Sequence, residues 1–533
     1  MDDTEGPIKW RKLESQNIVH RLFERETQLG RKGLCFVQAR QFYLHIVPNF
    51  SILNVEKPPC YLRKFSPDGR FFIAISYDQT SLEIYDFKGS EAAGNLYKNI
   101  KGDIIPGSAN SEEESTNIRG KIFSQFLQRR HVVRVTAGEE VLNRECSLFT
   151  DDSQYVIIGS CHQLPEESSS RFYDVYRNNE CITPNYRLIP EDYTLYIIQL
   201  KTGMVCDRRR FRLDKIYLSH NQGICLYGNI LTVLSVQQQV IHVFHISSQG
   251  TFIPVRTIGR FCYDDDEIFY RQTSNQPARA LNRPYTDKAA LYKYTKRRCF
   301  KHWAMDDLMH LRMGKLQLLD EEHLLIKYAI EEVVTFRNGD PCNMPSLFVV
   351  YNMNTTEVLG VYEHTSAELL ELMENFQDHF RNSWLHLQPQ FPSSPSSSEH
   401  ARRVQNMFKW TLIVAKNGGK REAISRMLTQ LPISAQSYSC SPYLDNNLFS
   451  YDDKWVSQLE RPKTCGDHPI RFFTRDSGML RFKINTGPPE RQIAPNNRRL
   501  VAFVCHPTEP FIISVQRTAA DYKVNFHIRK CPV

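Results

Sequence analysis

Two places in the 533-residue sequence set a thiol close to an imidazole: Cys465 and His468 in TCGDHP, and the adjacent Cys505 and His506. Such a pair could hold part of a zinc site or form a thiolate nucleophile with its base. Two ligands at that spacing do not close a tetrahedral shell, however. A turn histidine beside a buried thiol is the commoner arrangement, by about ten to one. Asp264, Asp265 and Asp266 form an acidic run that reads as solvated loop. Gly418-Gly419-Lys420 lacks the earlier glycine and the following Ser/Thr of a phosphate cradle. The sequence also contains no G-x-G-x-x-G, G-x-S-x-G or H-E-x-x-H. No cofactor, no metal and no catalytic residue is expected, so the chain reads as a protein without an active site of its own.

Composition narrows the class further. Hydrophobic residues at 41% and charged residues at 24% are those of a globular protein, and the net charge is +8. The opening MDDTEGPIKWRKLE is acidic with no apolar run behind it, and no stretch of eighteen apolar residues occurs. Neither a secretory leader nor a membrane span is expected. Fourteen cysteines are scattered without a C-x-x-C pair, as in a reducing compartment, where the sequons at Asn49 and Asn354 would go unused. Positive charge gathers at Arg208, Arg209, Arg210 and Arg212, and again at Lys296, Arg297 and Arg298. Clusters of this size favour acidic partners or nuclear import, and Lys296, Arg297 and Arg298 are the candidate import signal.

The elements that would position these residues are mostly strands. Residues 60–87 read as strand, turn, strand, turn, strand, with Pro67-Asp68-Gly69 as a turn tripeptide in which each residue has a physical role. The shape returns at 146–159, where Asp151-Asp152-Ser153 makes the turn, and at 193–211, 215–246, 315–328 with 347–362, 448–484 and 499–528. Apolar positions in these copies alternate or run for four to eight residues, and the unit of about 40 to 45 residues has the WD-type period. The expected fold is all-β: a degenerate WD-like β-propeller of six to eight blades, with an N-terminal helical arm and helical insertions. A pair of β-sandwiches is the alternative. With five Trp the Trp-Asp signature is mostly absent, and Tyr85-Asp86 is its nearest stand-in. The expected organisation is an arm at 1–40, propeller at 41–262, a basic insertion at 263–310, propeller at 311–363, a helical insertion at 364–432 and propeller at 433–533.

In the helical insertion Leu369, Leu372, Met373, Phe376 and Phe380 fall on one face, and Thr365 with Glu368 has capping-box spacing. PSSPSSS at 392–398 reads as a flexible linker to a second stripe of Val404, Met407, Phe408, Thr411 and Ala415. Gly418 and Gly419 then separate it from a third helix carrying Ile424, Met427, Leu428 and Leu431. All three stripes are expected to pack against the propeller, with docking of a partner as the lesser alternative. In the arm, Ser15 or Asn17 caps a helix whose stripe is Ile18, Val19, Leu22 and Phe23, flanked by His20, Arg21, Glu24 and Arg25. A short amphipathic arm suits insertion into another protein's groove.

Several longer segments resemble one family. They are NVEKPPCYLRKFSPDGRFFIAISYDQTSLEIY from Asn54, LNRECSLFTDD from Leu142, LSVQQQVIHVF from Leu234, RTIGRFCYDDD from Arg256, LPISAQSYS from Leu431, FSYDDKW from Phe449, ERPKTCGDHPIRFF from Glu460 and RRLVAF from Arg498. Together they are similar to the De-etiolated family across most of the chain, more weakly at 88–118, 267–300 and 385–400. The resemblance implies a nuclear, non-catalytic receptor or adaptor subunit of a cullin-four ubiquitin ligase. Its implied partners are the triple-propeller damaged-DNA-binding adaptor, ubiquitin-conjugating proteins and the constitutive-photomorphogenesis ligase, with no membrane. It also implies repression of transcription at chromatin, including through histones. On this reading Ile18, Val19, Leu22 and Phe23 enter the adaptor's groove, with Arg21 and Arg25 at the polar rim.

Overall fold

A hydrogen-bonded turn of one design recurs between successive strands. Asp68 Oδ1 accepts from the Ser66 hydroxyl at 2.5 Å and from the Arg70 amide at 3.2 Å, while Gly69 sits at φ +76°. Thr150, Asp152 and Gln154 repeat the wiring at 2.6 and 3.0 Å around Ser153 at φ 55°. Ser76, Asp78 and Thr80 do so a third time around Gln79 at φ 58°. The short Asp side chain takes over the backbone bonds that a tight reversal leaves open, so each apolar run folds back on the one before it. At Gly69 a side chain is barred twice, by the left-handed φ and by the His506 ring, which a Cβ would meet at 2.5 Å.

The computed structural model describes residues 40–98, 100, 102–106, 112–136, 138–163, 191–259, 311–330, 346–382, 392–416, 418–466, 468–487, 499–517 and 522–530. Their strands form six antiparallel sheets, here called blades. Blade 1 is Cys60–Phe65, Phe71–Ser76, Ser81–Phe87 and Leu127–Arg134. Blade 2 has Val141–Leu142 and Leu148–Phe149 on one side of Tyr155–Gln163, then Glu191–Gln199 and Val205–Asp214. Blade 3 is Ile224–Tyr227, Ile230–Ser235, Val240–Ile246 and Phe252–Ile258. Blade 4 is Leu311–Leu318, His323–Ile330, Ser346–Asn352 and Glu357–Glu363, and blade 5 is Phe449–Ser450, Ile470–Thr474 and Leu480–Ile484.

Blade 6 closes the ring. Its strands Arg499–Cys505, Phe511–Arg517 and Tyr522–Ile528 are completed at one edge by Lys463–Cys465 and at the other by the early strand Phe50–Ile52. Phe50 pairs with Ile528 and Ile52 with Phe526, so the first strand among the described residues is fastened to the last. Apolar residues fill gaps between neighbouring blades: Ile73, Ile75 and Leu82 meet Val156, Tyr196 and Ile198 between blades 1 and 2. Phe65 and Phe72 meet Phe511 and Phe526 between blades 1 and 6. The all-β propeller expected from the strand repeats is the observed fold.

His527 sits at the closure with Ser51 Oγ on one ring nitrogen at 3.0 Å and Ser514 Oγ on the other at 2.9 Å. Burial lowers its imidazole to about 3. As the pH falls below the ordinary histidine range, the unfolded chain therefore takes up a proton that the folded chain refuses. Stability is lost between roughly pH 6.5 and 3, since the unfolded state binds more protons throughout that window. His242, lowered to about 4, acts in the same direction, and Asp214, raised to about 6, acts against it. Urea unfolding of the native chain and of His527→Gln at pH 7.5 and 4.5 isolates the closure, because the other two groups are common to both. The native chain is expected to lose more stability on acidification than the variant, and equal losses would refute the assignment.

Among the described residues α-helices interrupt the ring at two places. Helix α1, Glu112–Phe126, lies between the third and fourth strands of blade 1 and buries Ile118, Ile122, Phe123 and Phe126 against blade 6. The strand pattern gave no sign of it. Between blades 4 and 5 come α2 (Ala367–Asn375), α3 (Gln377–Phe380), α4 (Glu399–Val414) and α5 (Lys420–Leu428). Leu369, Met373, Phe380, Ile424, Met427, Leu428 and Leu431 pack with Leu319, Leu325 and Phe348 at blade 4, as expected of the third stripe and of part of the first, whose Leu372 and Phe376 are exposed instead.

Two local expectations need correcting here. The cap of α2 is Ser366, whose hydroxyl accepts the Leu369 amide at 3.3 Å, and not Thr365. The PSSPSSS segment is no flexible linker. Ser393 and Ser394 are buried, Asp445 accepts the Ser393 amide at 3.1 Å, and Ser396 donates to Asp378 at 2.7 Å. Composition suggested a spacer because serine is usually solvated, but here its hydroxyls satisfy buried carboxylates.

Candidate interaction surface

The residues proposed for the arm, Ile18, Val19, Arg21, Leu22, Phe23 and Arg25, lie outside the described residues, as do Lys296, Arg297 and Arg298. The description starts at Arg40, which is buried. Its Nε donates to Asp445 Oδ2 at 2.6 Å, with the two side chains 3% and 0% exposed. Asp445 Oδ1 also accepts the amides of Ser393 and Asn447, and Ser398, which caps α4, donates to the Asn447 side chain at 2.7 Å. The chain following the arm is thereby pinned at the foot of α4.

The thiol and imidazole pairs do not meet as chemistry would require. His506 Nδ1 accepts the amides of Thr508 at 3.2 Å and Glu509 at 2.8 Å, so the proton is on Nε2, which donates to Gly69 O at 3.0 Å. Both nitrogens are occupied in holding turns together. Cys505 points elsewhere, into the core shared by blades 5 and 6, and burial pushes its thiol up. Cys465 is buried, donates to Trp455 O at 3.3 Å and is raised to about 11 by burial, while His468 is exposed. A thiol so far above neutral pH is a weak nucleophile. Among the described residues no three His, Cys, Asp or Glu side chains are grouped to hold a metal.

The centre of the ring is occupied by the chain itself. Residues 431–440, LPISAQSYSC, follow α5 and bond to residues of several blades in turn. The Ile433 amide donates to Gln317 of blade 4 at 2.7 Å, and Asn221, ahead of blade 3, donates to Ala435 O at 3.2 Å. Gln436 brackets Phe149 of blade 2, accepting its amide at 2.9 Å and donating to its carbonyl at 2.6 Å. Lys64 of blade 1 donates to Gln436 O and Oε1 at 3.2 and 3.3 Å. The Glu460 amide donates to Ser437 O at 2.8 Å. Burial lowers Lys64 to about 8, with the charge of Glu460 acting against it. A cavity of about 100 Å³ remains beside the plug, lined by Lys64, Phe149, Gln317, Arg381, Tyr438 and Glu460. It has room for roughly three waters and not for a peptide.

Two features stand out on the outside of the ring. The first is α4. Ala401 is buried, Leu412 packs on the core, and Lys409 is held by Glu374 of α2 at 2.9 Å, which fixes one side of the helix inward. Met407, Trp410 and Val414, at i, i+3 and i+7, then face outward and are 65%, 66% and 63% exposed. The expectation that this stripe packs on the propeller is overturned, because the buried side is the narrow one carrying Ala401. Phe408 at 50% and, at the junction of α2 and α3, Phe376 at 58% add to the exposed apolar area.

The second feature is basic. Arg208, Arg209, Arg210 and Arg212 are exposed on the last strand of blade 2, and Arg129, Arg130 and Arg134 on the last strand of blade 1. The two strands belong to neighbouring blades, since Arg130 Nε donates to Lys201 O at 3.2 Å. Asp86 neutralises Arg130 at 3.1 Å and Asp192 neutralises Arg210 at 2.6 Å. The sequence showed only the Arg208 cluster, because strand pairing and ring closure are needed to bring the other near it.

Comparison with known proteins adds a further finding. A family model described as De-etiolated protein 1 Det1 matches residues 144–291 and 279–530. A Solanum lycopersicum relative bearing the name light-mediated development protein DET1 is 29% identical over 97% of this chain and 100% of its own. One of the same name from Arabidopsis thaliana is 27% identical over 97% and 99%. Of solved structures, the C-terminal WD40 domain of Sif2 is similar at TM-score 0.31 and 5% identity, over 90% of this chain and 99% of that one. The β-propeller domain of the trilobed protease from Pyrococcus furiosus is similar at TM-score 0.24 and 8% identity, over 74% and 82%.

Proposed function

The chain belongs to the De-etiolated protein 1 family, and from that premise we propose that it is a non-catalytic receptor or adaptor subunit of a nuclear cullin-four ubiquitin ligase. Its arm binds the triple-propeller damaged-DNA-binding adaptor, and its outer surface brings targets to ubiquitin-conjugating proteins and the constitutive-photomorphogenesis ligase. The observation supporting this most is how the ring is fastened. Blade 6 is closed by Phe50–Ile52, and Arg40 is pinned on Asp445, so the stripe of Ile18, Val19, Leu22 and Phe23 precedes every strand of a ring complete without it. A subunit of this kind needs no reactive side chain, because holding a target near a charged ubiquitin carrier raises its effective concentration. Affinity purification of the tagged chain from nuclei, read by mass spectrometry, is expected to recover the adaptor and the cullin. A purification that keeps the bait and repeatedly lacks both would refute the proposal.

Nuclear residence is assigned to Lys296, Arg297 and Arg298. Changing all three to Ala in a fluorescent fusion is expected to move the protein toward the cytoplasm. Unchanged nuclear enrichment would remove them from the site.

The exposed arginines on blades 1 and 2 favour a second reading, a chromatin-associated transcriptional repressor that meets DNA phosphates or other acidic partners. A direct DNA contact of this kind weakens steeply with salt as counterions are released. Binding to DNA that is flat from about 50 to 200 mM salt would leave the adaptor reading alone.

A further inference from the structure

We propose that in the free subunit the arm folds back onto its own helical sector, laying Ile18, Val19, Leu22 and Phe23 along the outward face of α4 formed by Met407, Trp410 and Val414. Three observations name this occupant. The face is apolar and exposed over two turns, at i, i+3 and i+7, the pattern an amphipathic helix offers to a second one. The chain after the arm is pinned beside the foot of that helix, because Arg40 bonds Asp445, Asp445 bonds Ser393 and Asn447, and Asn447 bonds the α4 cap Ser398. The length also suffices. Fourteen residues separate Arg25 from Arg40, and the segment spans up to about 50 Å when extended, whereas α4 from its cap to Val414 rises about 24 Å.

Tethering supplies what a patch this small lacks. A stripe held by so short a segment experiences an effective concentration in the millimolar range, so an affinity too weak to hold two separate molecules together still keeps the face covered. The stripe assigned to the adaptor then has two alternative seats. The adaptor must displace it from α4, so the free subunit hides both its anchor and its apolar helix until the adaptor arrives. Only this exchange rests on the adaptor reading. The docking itself is a property of the isolated chain.

The test uses the full-length chain without adaptor. Trp410→p-benzoylphenylalanine places a photo-crosslinker on the exposed face, where it disturbs no buried contact, and a melting curve checks the fold. Irradiation is expected to join position 410 to a peptide containing residues 18–23 of the same molecule, with at least a tenfold loss of that product when Leu22 and Phe23 are both Asp. A product joining two copies, or one lying only outside residues 1–39, would overturn the docking, as would no product at all. Since the adaptor is absent, such a failure leaves the adaptor reading untouched, and failed recovery of the adaptor leaves the docking untouched.

Discussion

Asp445→Ala is expected to lower the unfolding free energy by about 3–5 kcal/mol, the loss seen when one member of a buried ion pair is removed and the other stays behind. Arg40 and Asp445 are 3% and 0% exposed and 2.6 Å apart, so substitution removes a short charged contact from a guanidinium with little access to water. The carboxylate also accepts the Ser393 and Asn447 amides at 3.1 and 2.9 Å, which hold the serine-rich segment and the approach to blade 5. Asp445→Asn keeps one acceptor oxygen and is expected to lose less. Urea unfolding of the three proteins measures this directly. A loss below about 1 kcal/mol for the alanine variant would mean that water enters the site and that the pair behaves as a surface bridge.

How much of this was legible in the sequence depended on whether a feature was local. The Ser66, Asp68 and Gly69 turn and its copy at Thr150, Asp152 and Ser153 could be read directly, since each completes its bonds within five residues. The blades followed from them. Cys505 and His506 were readable as a buried thiol beside a turn histidine, because the imidazole completes two of its bonds within three residues, whereas His468 is exposed. What escaped depends on distant partners. Nothing in LPISAQSYSC announces a plug, because Gln436 acquires that role only from Phe149 and Lys64, which lie 287 and 372 residues away in sequence. Helix α1 escaped because its apolar residues serve blade 6, at the other end of the chain. The outward face of α4 was missed: the stripe read from the sequence, Val404, Met407, Phe408, Thr411 and Ala415, shares only Met407 with the exposed Met407, Trp410 and Val414, since periodicity does not say which side the neighbours take.

Leu22→Asp combined with Phe23→Asp is expected to weaken adaptor binding at least a hundredfold. Burying a Leu or Phe side chain contributes about 1.5–3 kcal/mol. Two central anchors therefore supply at least about 3 kcal/mol, and 1.4 kcal/mol corresponds to a factor of ten in affinity. The Asp side chains do more than remove that term, because a carboxylate driven into an apolar groove must be desolvated or expelled. Arg21→Ala and Arg25→Ala should act differently. Rim charges mainly steer encounter, so these variants are expected to slow association and flatten its salt dependence while leaving dissociation nearly unchanged. Calorimetry with the purified adaptor gives the affinities, and a melting curve on the same samples shows whether the fold has suffered. The six blades are built of strands that all follow residue 49 among the described residues, so the midpoint is expected to fall by only a few degrees. A fall of ten degrees or more with adaptor binding intact would place Leu22 and Phe23 in the propeller's own core and take them out of the interface.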